Sequence, residues 1–296
     1  MSKNLKGILL AVTTALMWGV LAIALKVIDK SIDPYTIVWF RFLVSFLILL
    51  GYYLWQRPPA LKILFRPPLL LVIGAACLSS NFIGYMMGIH YISPGNCQLI
   101  SQIGPMLLGV TGVIIFKEKF TKRQFAGFLI AVVGFTLFYH QQLQASASDP
   151  NRYKLGVFIV LLAALAWTSY GIIQKIMIRK YPPQTLNLFL YFFPAVIFFP
   201  ISTPSTLLTL TFTNWILLIF ASLNTLIAYG ALSAAFKYIE ASKISMIVTM
   251  NPTITFLLMA LMSFSGFHWI APEHINATGG AGALLILAGA LMVVKS

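Results

Sequence analysis

The feature that most constrains this chain is a succession of apolar stretches separated by short polar connections. A helix of about 20 apolar residues crosses the hydrocarbon core of a bilayer with its backbone polar groups bonded internally. Ten such spans are predicted, at residues 7–27, 35–55, 69–88, 96–116, 122–140, 155–176, 184–202, 213–236, 242–263 and 275–294. The connections carry turn formers, such as Ser93-Pro94-Gly95.

The composition agrees with burial in lipid. Of the 296 residues, 59% are hydrophobic and 9% are charged, whereas a soluble protein has roughly 25% charged residues. We therefore predict an all-α integral membrane protein with ten transmembrane helices. The net charge of +14 does not indicate a nucleic-acid partner, because the Lys and Arg residues lie in short connections and form no continuous basic face.

The basic residues are distributed unequally between the two sides of the membrane. If successive connections lie on alternate sides, 15 of the 20 Lys and Arg residues fall on the side of the N-terminus, four fall on the other side, and Arg41 lies within a helix. Connections rich in Lys and Arg stay in the cytoplasm. We expect both termini to be cytoplasmic, and the run from Gly7 to Leu25 to be an uncleaved first helix.

The two halves of the chain repeat one another. Trp18 and Lys26 match Trp167 and Lys175 at an offset of 149, and Pro105 matches Pro252 at an offset of 147. Near the end of each half, Glu118, Gly127 and Gly134 match Glu273, Gly282 and Gly289 at an offset of 155, which predicts an insertion around 263–272. The predicted units are residues 1–143 and 155–296, joined by an external linker, 144–154.

Each unit has five spans, so the second must enter the membrane from the opposite side. The result is an inverted repeat, an arrangement that carriers use because two equivalent gates can open alternately around a central site. Channels also use inverted repeats, so the symmetry alone does not choose a carrier over a pore.

The order of several short motifs resembles a known family. The segments Ala15-Leu16-Met17-Trp18-Gly19, Arg41-Phe42, Gln102-Ile103-Gly104-Pro105 and Glu118-Lys119 are similar to an EamA-type domain of the drug/metabolite transporter superfamily. The resemblance covers essentially the whole chain as two such domains. It implies ten helices in a bacterial inner membrane, export or exchange of small metabolites such as amino acids, and a central cavity lined mainly by the first, third and fourth helices of each half. In the second half, Thr168 and Leu190 replace the Gly and Arg of the pattern, so the halves have specialised.

Polar and aromatic side chains form stripes on the helices expected to line a cavity, because residues three or four apart share a helix face. The predicted substrate-binding residues are Trp18, Asn81, Tyr85, Gln98, Gln102, Trp167, Tyr170, Asn224, Ser245 and Thr249. Such residues also form hydrogen bonds between helices in any membrane bundle. Uncharged amides, hydroxyls and aromatic faces suit a neutral or zwitterionic solute with an apolar part.

Three further residues stand out. Pro105 and Pro252 lie mid-span at matched positions, where each removes a helical hydrogen bond and predicts a kink, either static or used in gating. Arg41 lies about two turns into the second helix, where a charge is costly unless it is paired or hydrated. It is either a partner for a carboxylate or phosphate of the substrate, or a structural arginine that bonds helix-end carbonyls or Asp33.

The sequence lacks the residues typical of carriers coupled through an acidic relay, of enzymes and of metal-binding proteins. No carboxylate is predicted near the middle of the membrane, which argues against coupling through an acidic relay. The four histidines show no metal-ligand spacing, and no phosphate-binding loop or nucleophile motif is present, so we expect neither an enzyme, a metal site nor a cofactor. A carrier of nucleotide sugars or other phosphorylated metabolites stays the alternative, although it would want several cavity cations. The expected partners are a small solute and the lipid bilayer; the oligomeric state is open.

Overall fold

A computed structural model describes residues 2–118, 121–145, 150–265 and 276–294. Within these ranges the chain forms thirteen α-helices and no strand. The helices are α1 (Lys3–Ile28), α2 (Pro34–Gln56), α3 (Lys62–Phe65), α4 (Leu69–Tyr91), α5 (Pro94–Ser101), α6 (Ile103–Ile114), α7 (Lys122–Ala145), α8 (Pro150–Met177), α9 (Pro183–Phe198), α10 (Phe212–Tyr238), α11 (Ala241–Val248), α12 (Asn251–Phe264) and α13 (Ala277–Val294). Short 3₁₀ turns lie at Pro58–Leu61, Phe199–Ile201 and Pro204–Thr209.

The predicted membrane class is confirmed. Eight stretches of the described chain are long and apolar enough to cross a membrane. They are Lys3–Ile28, Pro34–Gln56, Leu69–Tyr91, Pro94–Ile114, Asn151–Met177, Pro183–Ile201, Phe212–Tyr238 and Ala241–Met262. The remaining two predicted spans coincide with α7 and α13, of which α13 has a shorter apolar stretch, Ala277–Gly289. The count of ten spans therefore stays a prediction.

Side chains in the connections cap the first turns of the helices that follow. Asp33 and Ser93 accept hydrogen bonds from the backbone N–H groups of Thr36 and Asn96, and a proline follows each cap. A side-chain oxygen satisfies an otherwise unpaired donor of the first turn, and proline has no donor to lose there. These signals are local, which is why helix starts agree with the sequence to within a few residues.

The helices of the two halves pack in pairs. The closest pairs are α1 with α10, α4 with α8, α2 with α9 and α7 with α13, and each joins one helix of either half. In the last pair a Cβ atom on Gly134 would lie 2.6 Å from the carbonyl oxygen of Gly282, so the absence of a side chain lets the backbones touch. Small residues at such crossings drive helix association in lipid, where hydrophobicity does not.

Two contacts at opposite ends of the bundle use matched residues. Gly7 of α1 lies against Tyr238 and Ile239, and Gly156 of α8 lies in the same way against Tyr91 and Ile92. The ends are called the Glu118 end and the Asp29 end below, after a carboxylate at each. Residues 266–275, which include most of the predicted insertion and Glu273, lie outside the described residues. So do Asp149, Lys119 and Lys295.

The fourth and ninth predicted spans are each divided by a short break in the helix, and the backbone stays in the right-handed helical region at Gln102 and Thr249. The fourth consists of α5 and α6, which meet at Gln102, and the ninth consists of α11 and α12, which meet at Thr249 and Met250. Each break precedes a proline by about one turn of helix. Since proline has no N–H, Pro105 cannot donate to the carbonyl of Ser101, nor Pro252 to that of Val248.

Candidate functional site

A central cavity lies between the paired helices at the level of the two breaks. It encloses about 580 Å³ of empty space, its open mouth included. Its lining residues are Trp18, Leu21, Arg41, Asn81, Phe82, Tyr85, Gln98, Ser101, Gln102, Pro105, Trp167, Tyr229, Val248 and Asn251. Both halves of the chain contribute to it.

Aromatic rings form one continuous wall of the cavity. The rings of Phe82 and Tyr229 lie 5.2 Å apart, those of Tyr229 and Trp18 lie 5.1 Å apart, and those of Trp18 and Trp167 lie 6.0 Å apart at 78°. Gly104 lies at the end of this wall, where a Cβ atom would be 3.1 Å from the ring of Trp167. Rings at these separations attract one another and offer an apolar face to a ligand.

Of the described residues that line this cavity, Arg41 is the only cation. Its side chain is buried, with 2% of the residue exposed. Its Nε donates a hydrogen bond of 3.0 Å to Thr225 Oγ1, and its Cζ lies 4.8 Å from the centre of the Phe82 ring. A cation over an aromatic face is stabilised by the ring's negative face.

The acidic partner considered for Arg41 is engaged elsewhere. Asp33 caps α2 through the N–H of Thr36 and accepts a hydrogen bond from Thr203 Oγ1. Over the described residues, no carboxylate oxygen lies within 4.0 Å of the guanidinium. The resemblance had also implied that the second helix lies away from the cavity, and this was wrong, because Arg41 of α2 lines it.

Amide side chains lie along the cavity wall formed by α4, α5 and α12. Asn81 Nδ2 donates to the carbonyl of Ala163 at 3.0 Å, and Gln98 Nε2 donates to that of Trp18 at 2.9 Å. Gln102 Nε2 donates to the carbonyl of Gln98 at 2.9 Å. Each of these bonds uses the NH₂ group of an amide side chain as the donor, and none of them uses the amide oxygen. Within the described chain, Gln102 Oε1 and Asn251 Oδ1 are buried and have no hydrogen-bond donor.

The predicted site residues thus divide into two groups. Trp18, Arg41, Asn81, Tyr85, Gln98, Gln102, Pro105 and Trp167 line the cavity, whereas Tyr170, Asn224, Ser245, Thr249 and Pro252 do not. Asn224 Nδ2 donates to the carbonyl of Met17 at 2.6 Å, and Ser245 Oγ donates to that of Pro105. Thr249 Oγ1 bonds the carbonyl of Ser245 at 2.8 Å. Tyr170 packs on Tyr229 with ring centres 5.9 Å apart. Asn224, Ser245 and Tyr170 therefore contact neighbouring helices, whereas Thr249 bonds within its own helix.

Several lining residues escaped the sequence analysis: Leu21, Phe82, Ser101, Tyr229, Val248 and Asn251. Tyr229 and Phe82 occupy matched positions at an offset of 147, and that match was a usable signal. Ser101 and Val248 each precede a proline by four residues. Because proline has no N–H, the carbonyls of Ser101 and Val248 lose their helical hydrogen-bond donor. The positions of the prolines in the sequence therefore also indicated these two residues.

A polar cluster joins the halves at the Glu118 end of the bundle. The carboxylate of Glu118 pairs with Lys175 of α8 and accepts from the N–H groups of Ala241 and Ser242 at 2.9 and 3.1 Å. It also accepts from Ser242 Oγ at 3.0 Å. Lys117, just before it, has a φ of 52°, an uncommon backbone conformation that turns the chain out of α6. The cluster connects α6 of the first half with α8 and α11 of the second.

The Asp29 end has a different cluster. Asp29 pairs with His90 Nδ1 at 3.2 Å, and Lys26 Nζ donates to the carbonyl of Ile89 at 2.5 Å. Burial raises the pKa of Asp29 above its ordinary value, against the opposing effect of His90. In the described ranges, no three His, Cys, Asp or Glu side chains come together in a way that would hold a metal ion.

Comparison with known proteins identifies the family. The EamA-like transporter family matches residues 5–139 and again residues 154–295. The chain is 36% identical over 290 residues to the uncharacterized inner membrane transporter YhbE of Escherichia coli K12, with 96% of this chain and 90% of that protein covered. It is 24% identical over 298 residues to a Salmonella typhimurium protein named "Probable amino-acid metabolite efflux pump", with coverage of 95% and 92%.

A solved structure shares the fold. One chain of known crystal structure superposes with a TM-score of 0.73 at 17% identity, over 97% of this chain and 95% of the other. The resemblance seen in the motifs is thereby confirmed by matches over nearly the full length. The chain belongs to the EamA-like transporter family of the drug/metabolite transporter superfamily, and it is a multi-pass transporter of the inner membrane.

Proposed function

We propose that this transporter is a carrier of small neutral or zwitterionic metabolites with an apolar part, amino acids above all, working as an exporter or exchanger. The observation that carries the proposal is the cavity lining of amides, aromatic rings and one arginine. Such a lining pairs a few polar groups with a broad apolar face, as small amphipathic solutes require. The printed name of the Salmonella relative, an amino-acid metabolite efflux pump, points to the same class.

Alternating access follows from the proposed inverted repeat of residues 1–143 and 155–296. The matched contacts of Gly7 and Gly156 at opposite ends support it, as do helix pairs that each combine the two halves. Two equivalent ends around a central cavity could then open in turn. In this proposal Pro105 and Pro252 provide bending points, and the Glu118 end faces the cytoplasm together with both termini.

Phosphorylated solutes are the second candidate, and the lining argues against them. A nucleotide sugar carries several negative charges, and a site for it would place several Lys or Arg side chains around the cavity. The lining has Arg41 alone. A channel-like facilitator would show flux without saturable exchange, and counterflow in proteoliposomes distinguishes it from a carrier.

The test is a solute panel on purified protein. Amino acids, sugars, nucleotides and organic acids are screened for an increase in melting temperature, and the hits are examined for counterflow in proteoliposomes. We expect amino acids to stabilise the protein, since a ligand that binds the folded state raises its stability. Absence of any stabilising amino acid, or flux without saturation, would contradict the proposal.

Two cavity variants and one control locate the site. Trp167→Ala and Gln102→Ala should each weaken the response by about tenfold, corresponding to the loss of about 1.4 kcal/mol of binding free energy. Trp215→Ala is the matched control, because Trp215 packs on Phe40 and is not among the lining residues. Unchanged transport in both cavity variants would place the substrate elsewhere.

A further inference from the structure

Arg41 is a buried cation with no carboxylate partner among the described residues, and it lies in a cavity where the proposed substrate would bind. We infer that its guanidinium recognises one carboxylate of the solute and so determines which solutes are carried. The inference rests on the proposed function, because it concerns the same cavity, but it commits to a group that the proposed function leaves open.

The geometry leaves the end of the guanidinium free for this task. Nε donates to Thr225 Oγ1 at 3.0 Å, and the Phe82 ring covers the group at 4.8 Å from Cζ. Among the described residues, the Arg41 side chain makes no other hydrogen bond. The two terminal nitrogens therefore keep their donors, in the forked arrangement that binds a carboxylate through two parallel hydrogen bonds.

The acidic residues that the structure describes have other partners. Within the described ranges Asp29 bonds His90, Asp33 caps α2, Glu118 bonds Lys175, and Glu240 lies 3.9 Å from Lys243. A cation buried in a membrane protein is unfavourable without an opposite charge. An anionic group on the substrate would supply that charge only while the substrate is bound, which couples binding to the chemistry of the solute.

The other polar groups of the cavity decide between anions. Gln102 Oε1 and Asn251 Oδ1 are buried acceptors that find no donor in the described chain, and the carbonyls of Ser101 and Val248 lose their helical donors to prolines. These acceptors repel the extra oxygens of a phosphate and attract N–H groups. The cavity therefore fits a solute with a single carboxylate and with N–H donors elsewhere.

A structural role is the competing explanation, since Arg41 also joins α2 to α10 through Thr225. The two roles differ in what they predict for ligands. A purely structural arginine affects the stability of the protein and every ligand alike. A carboxylate partner affects only solutes that carry the carboxylate.

The experiment compares each stabilising L-amino acid with its carboxamide, which keeps the amine and side chain and replaces the carboxylate. Dissociation constants are measured with purified protein. For the wild-type protein we expect the acid to bind about 10- to 100-fold more tightly than the amide, the range for hydrogen bonds to a charged group. In Arg41→Gln this ratio should fall close to one through loss of acid binding, and Arg41→Lys should restore part of it.

Lys26→Gln is the matched control. Lys26 is another cation within a membrane helix, but it donates to the carbonyl of Ile89 and does not line the cavity. Its substitution should leave the ratio of acid to amide unchanged. If Arg41→Gln does not fold, Arg41→Lys takes its place, and an acid-to-amide ratio equal to that of the wild-type protein would then contradict the inference.

The outcomes separate the two proposals. Equal binding of acid and amide by the wild-type protein, or an unchanged ratio in Arg41→Gln, overturns the role of Arg41 and leaves an amino-acid carrier standing. Tighter binding of the matching aminophosphonate than of the acid overturns the carboxylate assignment. If no amino acid binds at all, both the proposed function and this inference fail.

Discussion

Glu118 and Arg41 are both buried charges in a chain with few charges, and their surroundings differ. Glu118 has a full set of partners: the ammonium of Lys175, two backbone N–H groups and the hydroxyl of Ser242. The Lys175 and Glu118 side chains are 12% and 7% exposed. Removing one member of a pair so enclosed leaves an unpaired buried charge, which costs more than the loss of a surface pair. Glu118 therefore connects the first half to α8 and α11 of the second half.

The pKa of Glu118 reflects these partners. Burial acts to raise the pKa, but the hydrogen bond from Lys175 and the N–H groups of Ala241 and Ser242 outweigh it and hold the pKa below its ordinary value of 4.5. A carboxyl whose pKa is lowered in the folded state stabilises that state above its ordinary pKa, and this contribution is lost as the pH falls through the lowered value.

We predict that Glu118→Gln lowers the free energy of unfolding by about 1–3 kcal/mol at neutral pH, because hydrogen bonds to a charged group are replaced by neutral ones. The measurement is thermal unfolding of wild-type and variant protein across a pH series. The difference between them should shrink as the pH falls below 4.5, where the carboxyl of the unfolded chain begins to take up its proton, and on through the lowered pKa of the folded state.

Glu240→Gln serves as the control for this substitution. Glu240 forms a more exposed pair with Lys243 at 3.9 Å, and such pairs contribute about 0–1 kcal/mol. An equal loss in both variants, or a Glu118 effect that persists unchanged at acidic pH, would show that the cluster does not stabilise the fold through its charge.

At the scale of elements, the two broken spans are the parts that combine packing with function. The break at Gln102 and the break at Thr249 and Met250 each place a residue with a freed carbonyl, Ser101 or Val248, on the cavity. Exposed backbone groups inside a membrane are tolerated where they face a cavity rather than lipid. Ser245 Oγ bonds the carbonyl of Pro105, which connects the two breaks to each other.

Replacing Pro105 or Pro252 should change the rate of transport more than the affinity for the solute. Pro105→Ala and Pro252→Ala each restore an N–H donor and allow a straighter helix. We expect counterflow to slow roughly tenfold, equivalent to about 1.4 kcal/mol on the barrier, while the affinity for the solute changes much less. Rates from proteoliposomes and dissociation constants from the purified variants provide the two readouts.

Pro194→Ala tests whether any helix proline has this effect. Pro194 lies inside α9, a helix that contributes no residue to the cavity lining. Its substitution should leave the counterflow rate near that of the wild-type protein. Full-speed counterflow in both Pro105→Ala and Pro252→Ala would mean that the breaks are static features.

At the scale of the whole molecule, the question is how many times the chain crosses the membrane. The packed pair α7 and α13 accounts for the difference between eight stretches that meet the length and hydropathy requirement and ten predicted spans. The glycine crossing of Gly134 and Gly282 packs these two helices along each other. If α7 spans the membrane, the residues just before and after it lie on opposite sides.

Cysteine labelling answers this directly. In a chain whose two native cysteines, Cys77 and Cys97, have been replaced, Thr121→Cys and Asn151→Cys introduce single reactive sites at exposed positions that flank α7. We expect a membrane-impermeant thiol reagent to label position 151 in intact cells and position 121 only after permeabilisation, since the Lys-rich side stays in the cytoplasm. Labelling of both from the same side would exclude α7 as a span and, with it, the inverted repeat.

Local signals in the sequence agree with the structure. Asp33 and Ser93 cap the starts of α2 and α5, and Pro105 and Pro252 follow the two breaks, because caps and missing donors act within a few residues. Prediction was weaker for the cavity. Asn224 and Ser245 lie on the expected helices but bond neighbouring backbones, whereas Arg41, expected away from the cavity on α2, lines it.

Hydropathy, capping and motif order are properties of short segments, so the membrane class, the positions of the helices and the family can be inferred without any tertiary contact. The folded structure adds which face of each helix meets the cavity, which residue pairs with Glu118, and that Arg41 has no carboxylate partner among the described residues. In lipid a polar side chain is satisfied equally by a neighbouring helix or by a hydrated cavity. The rotation and neighbours of each helix, set by packing between residues far apart in the chain, make that choice.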